Sequence, residues 1–356
     1  MFARALFLSS TVLALTATTA LADLKAQDVW MDWKAYIKGF GYSVQGAEST
    51  SGKTLTVSDL TLAIPLPEQD SHITLDMGDM SFASLADGTV AIRLPEALPI
   101  AFTVMSKDET EMSGTLNYDT TNLSIIVSGT PDDMTYDTTA TQLDMSLANL
   151  TLEGKPVDIG TVAMTMAGLT GTSNMKLGTI RNTMQSFAVD TLSYTIDIKA
   201  PDDTPDLEAF KMTGALNALS FNGTGAYPNE GGFEARNVSA LLSSGFAFDG
   251  GFAYQDGNST FEISESGQKT SGASSSESGL LKVAMSQAGL QYGGEANDLK
   301  STMTNSQIPF PVAFNAEKSA FALTLPISAS PEEQAYGLKI ELSNVSTSEQ
   351  LWSIFD

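Results

Sequence analysis

Imidazole chemistry has a single candidate in this chain, His72, and thiol chemistry has none, because the sequence contains no cysteine. A bound metal would therefore need oxygen ligands. The densest carboxylate group is Asp202, Asp203, Asp206 and Glu208, followed by Asp132-Asp133. Neither has the spacing of a calcium loop, and both read as solvated turns. A serine–histidine–aspartate site would have to recruit His72. Its surroundings, DSHITL, lie beside a strand, and no nucleophile elbow occurs. No glycine motif follows a strand and opens a helix, so no dinucleotide or phosphate loop is expected. The sequence thus points to no catalytic residue, no cofactor and no metal, and the expectation is a non-enzymatic protein.

The methionines are placed differently. Met77, Met80, Met145, Met164 and Met166 fall on apolar positions of a recurring strand pattern, with Phe82 and Leu147 beside them. Methionine is unbranched and polarisable, so it adapts to hydrocarbon of variable shape, and it also fills gaps in ordinary cores. These residues are the candidate lining for lipid or another hydrophobic ligand, with plain core packing as the alternative.

The pattern that carries them is clearest in TLTVSDLTLAIP, residues 54 to 65. Leu55 and Val57 alternate with polar residues as one face of a strand should. Ser58-Asp59 then breaks the phase, and Leu60, Leu62 and Ile64 resume on the opposite parity. The same slip recurs at Leu75, Met77, Met80, Phe82; at Met145, Leu147, Leu150, Leu152; and at Phe187, Val189, Leu192, Tyr194. Weaker copies are Met164, Met166, Leu169 and Ile340, Leu342, Val345. A straight strand would turn Leu60, Leu62 and Ile64 into water, losing roughly 1.5–3 kcal/mol for each. A β-bulge or a two-residue hairpin avoids that loss. Most slip pairs lack tight-hairpin chemistry, so bulges inside long strands are expected, with Gly78-Asp79 the best candidate for a hairpin.

Residues 1–22 read as a signal peptide: a short basic start, an apolar run from Ala5 to Ala20, and Ala20-Leu21-Ala22 as the cleavage site. No later run is long enough to span a bilayer as a helix. A periplasmic protein with no transmembrane helix after signal cleavage is expected. The net charge of -24 would repel nucleic acid and anionic headgroups. It favours cations, basic partners or simple solubility.

From Gln27 to Gly39 the period becomes helical: Val29, Trp30, Trp33, Tyr36, Ile37 and Phe40 share a stripe. The N-terminal helix is therefore set within residues 23–41, its stripe serving as the lid of a core or as a partner site. Residues 42–356 read as one continuous antiparallel β body with short turns. A soft boundary is expected near residues 200–206. Ser264 to Gly279 is either a linker or part of a long hairpin. A short helix is entertained for Leu177 to Gln185.

The run from Gln307 to Asp356 includes Pro309-Phe310-Pro311, Leu325-Pro326, the slip unit from Leu338 to Val345, and Leu351-Trp352 through Phe355-Asp356. With Trp30, Trp33 and Tyr36 followed by TLTVSDLTL, it resembles the alphaproteobacterial exported family called domain of unknown function 2125. The resemblance covers most of the mature chain and implies a periplasmic, all-β protein, with no activity or site residues attached. The slip unit is also distantly similar to segments of AsmA-like envelope proteins, whose long curved sheets form lipid-carrying grooves.

The expected fold is mainly β: a long, curved antiparallel sheet of bulged strands forming a partly closed groove or half-barrel, with one N-terminal amphipathic helix. The expected function is an envelope protein that handles lipid or another hydrophobic ligand, pairs with an envelope partner, or acts as a scaffold. An outer-membrane β-barrel is the alternative. Relatives resembled at the C-terminus run on beyond the equivalent of Asp356, so a truncated chain is entertained, with an unpaired apolar edge around Leu338 to Val345 that would promote self-association.

Overall fold

A computed structural model describes residues 24–66, 71–106, 111–199, 207–228, 238–327 and 336–352. Residues 1–22, expected to be a signal peptide, the boundary expected near 200–206 with Asp202, Asp203 and Asp206, and Phe355 lie outside the described residues. Helix α1 spans Ala26–Gly39. The strands that follow are β1 (Ser43–Ser51), β2 (Thr54–Pro65), β3 (His72–Ser84), β4 (Val90–Arg93), β5 (Ala97–Met105), β6 (Glu111–Thr121), β7 (Ser124–Thr130), β8 (Asp133–Leu152) and β9 (Lys155–Pro156). Next come β10 (Thr161–Lys176), β11 (Ile180–Lys199), β12 (Leu207–Pro228), α2 (Val238–Ser243), β13 (Ala247–Glu265), β14 (Gln268–Ser286), β15 (Gly289–Asn305) and β16 (Val312–Leu325). The chain closes with β17 (Gly337–Ser343), β18 (Ser346–Thr347) and α3 (Glu349–Trp352).

All 18 strands belong to one antiparallel sheet. From β1 the order runs through β2 and β3, then splits into two tiers, β4–β7 and β5–β6, which rejoin on β8. From β8 it continues through β10 to β16 as a meander, and β17 and β18 both pair with β16. Among the described residues the first and last strands do not pair, so the sheet is a partial ring and not a closed barrel. A membrane barrel must close to satisfy its edges, and among the described residues this sheet does not close. Two local alternatives are also decided, one against a short helix and one for a long hairpin. Ile180 to Gln185 is the start of β11, because its residues pair with Pro228 to Gly223 of β12. Ser264 to Gly279 is not a linker: Glu265 pairs with Gln268 across a tight turn, and the flanking strands stay paired throughout.

The slips in β2, β3, β8, β10 and β11 lie inside strands, Gly78-Asp79 in β3 included, so the hairpin suggested there does not form, whereas Ser343-Asn344 falls at the break between β17 and β18. Only some are single-residue bulges. One-residue offsets occur at Gly46 between β1 and β2, and near Asn149 between β8 and β6. Elsewhere neighbouring strands slip at the same level: the register shifts at Leu60 between β2 and β3 and at Asn217 between β12 and β13 are undone within a few residues, and the remaining slips keep register. Gly168 stands opposite Thr141 on one side and Asp190 on the other. Asp190 faces Ala218, Glu277 faces both Asp256 and Asp298, and Asp298 faces Glu317. The row ends where Asn344 donates to Glu317. At its other end, Asn122 Nδ2 donates to Thr141 Oγ1 at 3.1 Å, and the Asp59 N–H donates to Asp79 Oδ1 at 3.1 Å.

This row is a crease across the sheet. Asp59, Gly78, Asn122, Gly168, Ala218, Asp256, Asp298 and Asn344 all have positive φ. Asp, Asn and Gly are the residues that tolerate that region, which explains why they occupy the slips. The left-handed residue returns the next apolar residue to the original face, and where it carries a side chain, as at Asp59, Asn122, Ala218, Asp256, Asp298 and Asn344, that side chain is exposed. Leu55, Val57 and Leu60 are accordingly all buried.

Helix α1 packs on that apolar face. Trp30 and Trp33 lie against Phe82 of β3, both with ring centroids at 5.6 Å. Asp32 reaches Tyr136 of β8 and Arg181 of β11, and Tyr36 meets Tyr227 of β12. Trp30 to Tyr36 advances only about 9 Å along a helix. The strands from β3 to β12 span roughly 29 Å of flat sheet at about 4.8 Å each. One short helix touches them all only if the sheet wraps around it, so the apolar face is the concave one. The main core follows: Val29, Trp30, Val57, Phe82, Val90, Val127 and Met134 are enclosed between α1 and the sheet. Helix α2 adds Leu241 and Leu242, joined by Phe246 just before β13, against Tyr227, Phe248 and Met285. Together the helices plug one half of the concave face.

Candidate functional site

Beyond the crease from α1 and α2, the concave face carries aliphatic, methionine and aromatic side chains that are neither core nor fully exposed. Strand pairing aligns them across the sheet. Met145 of β8 pairs with Tyr118 of β6 and Met164 of β10, and Met164 pairs with Tyr194 of β11. One step nearer the crease, the half-buried Met166, Leu192 and Leu216 form a parallel row that ends on the buried Leu143. Toward the open end, Ile196 meets Met212, which meets Phe261 of β13. On the other wing Leu62, Leu75 and Phe102 continue the row through β2, β3 and β5. Met145, Leu147, Met164 and Met166 are all half-buried. The convex face of the same strands is largely polar: Asp144 and Thr165 share a 2.6 Å hydrogen bond, Ser193 is in line beside them, and Thr195 pairs with Thr213 one step further on. The alternation expected of a one-sided sheet is thus complete, with hydrocarbon facing the trough.

The candidate lining divides accordingly. Met145, Leu147, Met164 and Met166 stand together on the open half. Met80 and Phe82 are fully buried beneath Trp30, and Met77 packs against the same core. The helix claims those three because the slip in β3 falls close to its plugged half. Aromatic steps outside the candidate lining lie on the plugged side of the crease. Phe187 stacks on Phe221 at 5.2 Å and Phe221 meets Phe252 at 4.8 Å; farther along, Tyr292 meets Phe321 at 5.2 Å. Phe252, Tyr292 and Phe321 are exposed. Their alternation was readable, but their alignment depends on registers that no local pattern reveals.

A second feature sits where the two helices meet the sheet. A cavity of about 360 Å³ is lined by Tyr36, Phe40, Leu177, Arg181, Tyr227, Leu241 and Phe246. Arg181 at its wall is almost fully buried and paired to Asp32 at 2.7 Å, with its guanidinium 5.1 Å from the Tyr36 ring centroid. Burial pushes the Tyr36 phenol up to about 12, the neighbouring Tyr227 adds to the rise, and Arg181 opposes it. Burial, then the Asp32 carboxylate, drives Tyr136 up still further. Both phenols are therefore neutral donors at ordinary pH.

The remaining polar candidates are dispersed. His72 is an exposed residue at the start of β3, paired with Pro65 and Met105. Asp132 lies in the turn before β8, Asp133 is 4.0 Å from Lys176, and Glu208 accepts the Gly267 N–H at 2.9 Å. Among the described residues no three histidine or acidic side chains form a metal-sized group. No protein-family model, curated protein or solved structure matches the chain.

Proposed function

We propose that this protein is a non-enzymatic periplasmic envelope protein whose trough holds lipid or another hydrophobic ligand. The observation that carries the reading is the half-exposed row Tyr118, Met145, Met164, Tyr194 on a concave face, opposed by a polar convex face on the same strands. Exposed apolar surface that is continuous and rimmed by polar residues marks a binding site. Methionine suits acyl chains of mixed length and unsaturation because its own shape adapts. The helices would serve as an end stop, and the trough would take a chain lengthwise along its open half. The acidic exterior keeps the protein off anionic headgroup surfaces, so cargo would enter the trough as single molecules. Mass spectrometry of an organic extract of protein purified without detergent tests the reading. Bound acyl lipid is expected, and its loss is expected in Met145→Glu and Met164→Glu proteins that keep the native circular dichroism spectrum. Protein that never carries lipid would leave a structural scaffold as the better reading.

A further inference from the structure

The two edges of the partial ring differ in kind. β1 is polar, SVQGAESTS, exposed along nearly its whole length and interrupted by the bulge at Gly46. Such an edge resists pairing. β17 reads GLKIELS and pairs on one side only among the described residues, with β16. Its concave-face side chains continue the apolar surface of Phe321 and Leu323, yet Leu338, Ile340 and Leu342 are 70%, 67% and 49% exposed. An edge strand with open backbone groups and exposed apolar side chains is a template for strand addition.

We propose that β17 pairs antiparallel with β17 of a second copy of this chain, about a twofold axis through Ile340. The sequence LKIEL is self-complementary in that register alone. With Ile340 opposite its own mate, Leu338 faces the second copy's Leu342 on the concave side, and Lys339 faces the second copy's Glu341 on the convex side. Opposite charges directly across a strand pair are stabilising, and like charges are destabilising. Centring the axis on Lys339 sets lysine against lysine, and centring it on Glu341 sets glutamate against glutamate. Lys339 is free to take part, being 74% exposed beyond its contact with Glu341 of the same chain. The twofold pairing keeps both concave faces on one side, so the two apolar surfaces become continuous. This dimer does not rest on any ligand in the trough.

The absence of native cysteine makes the register directly readable. Residues self-paired across an antiparallel axis have Cα atoms about 4.5–5.5 Å apart, within disulfide range. Leu338 lies roughly 14 Å from its own mate. Under mild oxidation, the Ile340→Cys protein should form a covalent dimer and the Leu338→Cys protein should stay monomeric on a non-reducing gel. Adding Lys339→Glu to Ile340→Cys should cut the dimer yield several-fold. Sedimentation velocity of the unsubstituted protein should show a concentration-dependent dimer. A monomer at every concentration, or equal cross-linking through both cysteines, would overturn the proposal, as would cross-linking indifferent to Lys339→Glu.

Discussion

Asp32 of α1 and Arg181 of β11 are 149 residues apart in sequence and meet as an ion pair at 2.7 Å with both side chains almost wholly buried. The pair ties the plug helix to the centre of the meander. Asp32 also accepts from Tyr136 at 3.4 Å, so one carboxylate joins α1, β8 and β11.

Removing one partner of a buried ion pair strands the other charge. Asp32→Ala is expected to destabilise the protein by about 3–5 kcal/mol, read from urea unfolding. Asp32→Ala combined with Arg181→Met should recover much of that loss, because no uncompensated charge remains. A single substitution that costs nothing would show that the pair does not anchor the helix.

The crease makes opposite demands on two small residues. Gly168 has φ +67°, and a side chain there would run into the Asp190 carboxylate. Gly168→Ala should cost at least about 1–2 kcal/mol from the left-handed backbone alone. Ala218 has φ +46° in the same row, where alanine is the strained residue. Ala218→Gly should therefore stabilise by roughly 0.5–1 kcal/mol, because the relieved strain of about 1–2 kcal/mol exceeds glycine's entropic cost of about 0.5–1 kcal/mol. Thermal melts of the two proteins should shift in opposite directions.

Glu277 reports on the charge gathered along the crease. A hydrogen bond with Asp298, then the charges of Asp298 and Asp256, raise its carboxyl above the usual value of 4.5. A carboxyl raised on folding binds its proton more tightly in the native state. The stability it contributes is present at acid pH and is lost as pH climbs from about 4.5 through the raised native value. Glu277→Gln should consequently stabilise at neutral pH, with the gain shrinking at pH 4 and in high salt. A gain independent of pH would contradict this.

At the alkaline end the buried phenols dominate. Tyr36 is raised from 10.0 to about 12, chiefly by burial. Since the unfolded chain ionises first, stability should fall as pH rises above 10, and Tyr36→Phe should flatten that fall. Unfolding midpoints between pH 9 and 11 would measure it, those limits lying about one unit either side of the ordinary phenol value.

Much of this architecture is legible in local sequence. Leu55, Val57 and Leu60 announce a strand whose phase slips, and the pairs at the slips supply the aspartate, asparagine or glycine a left-handed residue needs. The helix is legible from Val29, Trp30 and Trp33. What local patterns could not supply is register. Gly168, Asp190, Ala218 and Glu277 look unrelated until pairing puts them in line, and most slips proved to be matched between neighbours instead of single extra residues. The same limit hid Arg181, whose stretch was entertained as a helix, and merged Met80 and Phe82 with Met145 and Met164. All four share the slip pattern, and only the position of α1 separates core from trough.

That separation also provides the sharpest test of the trough. With methionine methyl groups labelled with carbon-13, a spin-labelled fatty acid can be titrated while each methyl resonance is followed, assignments coming from Met→Leu substitutions. The account predicts broadening of the Met145, Met164 and Met166 methyl signals, with the core residues Met80 and Met134 unaffected. Unbroadened trough methyls at saturating fatty acid, or broadening confined to the exposed Met31 and Met184, would contradict it.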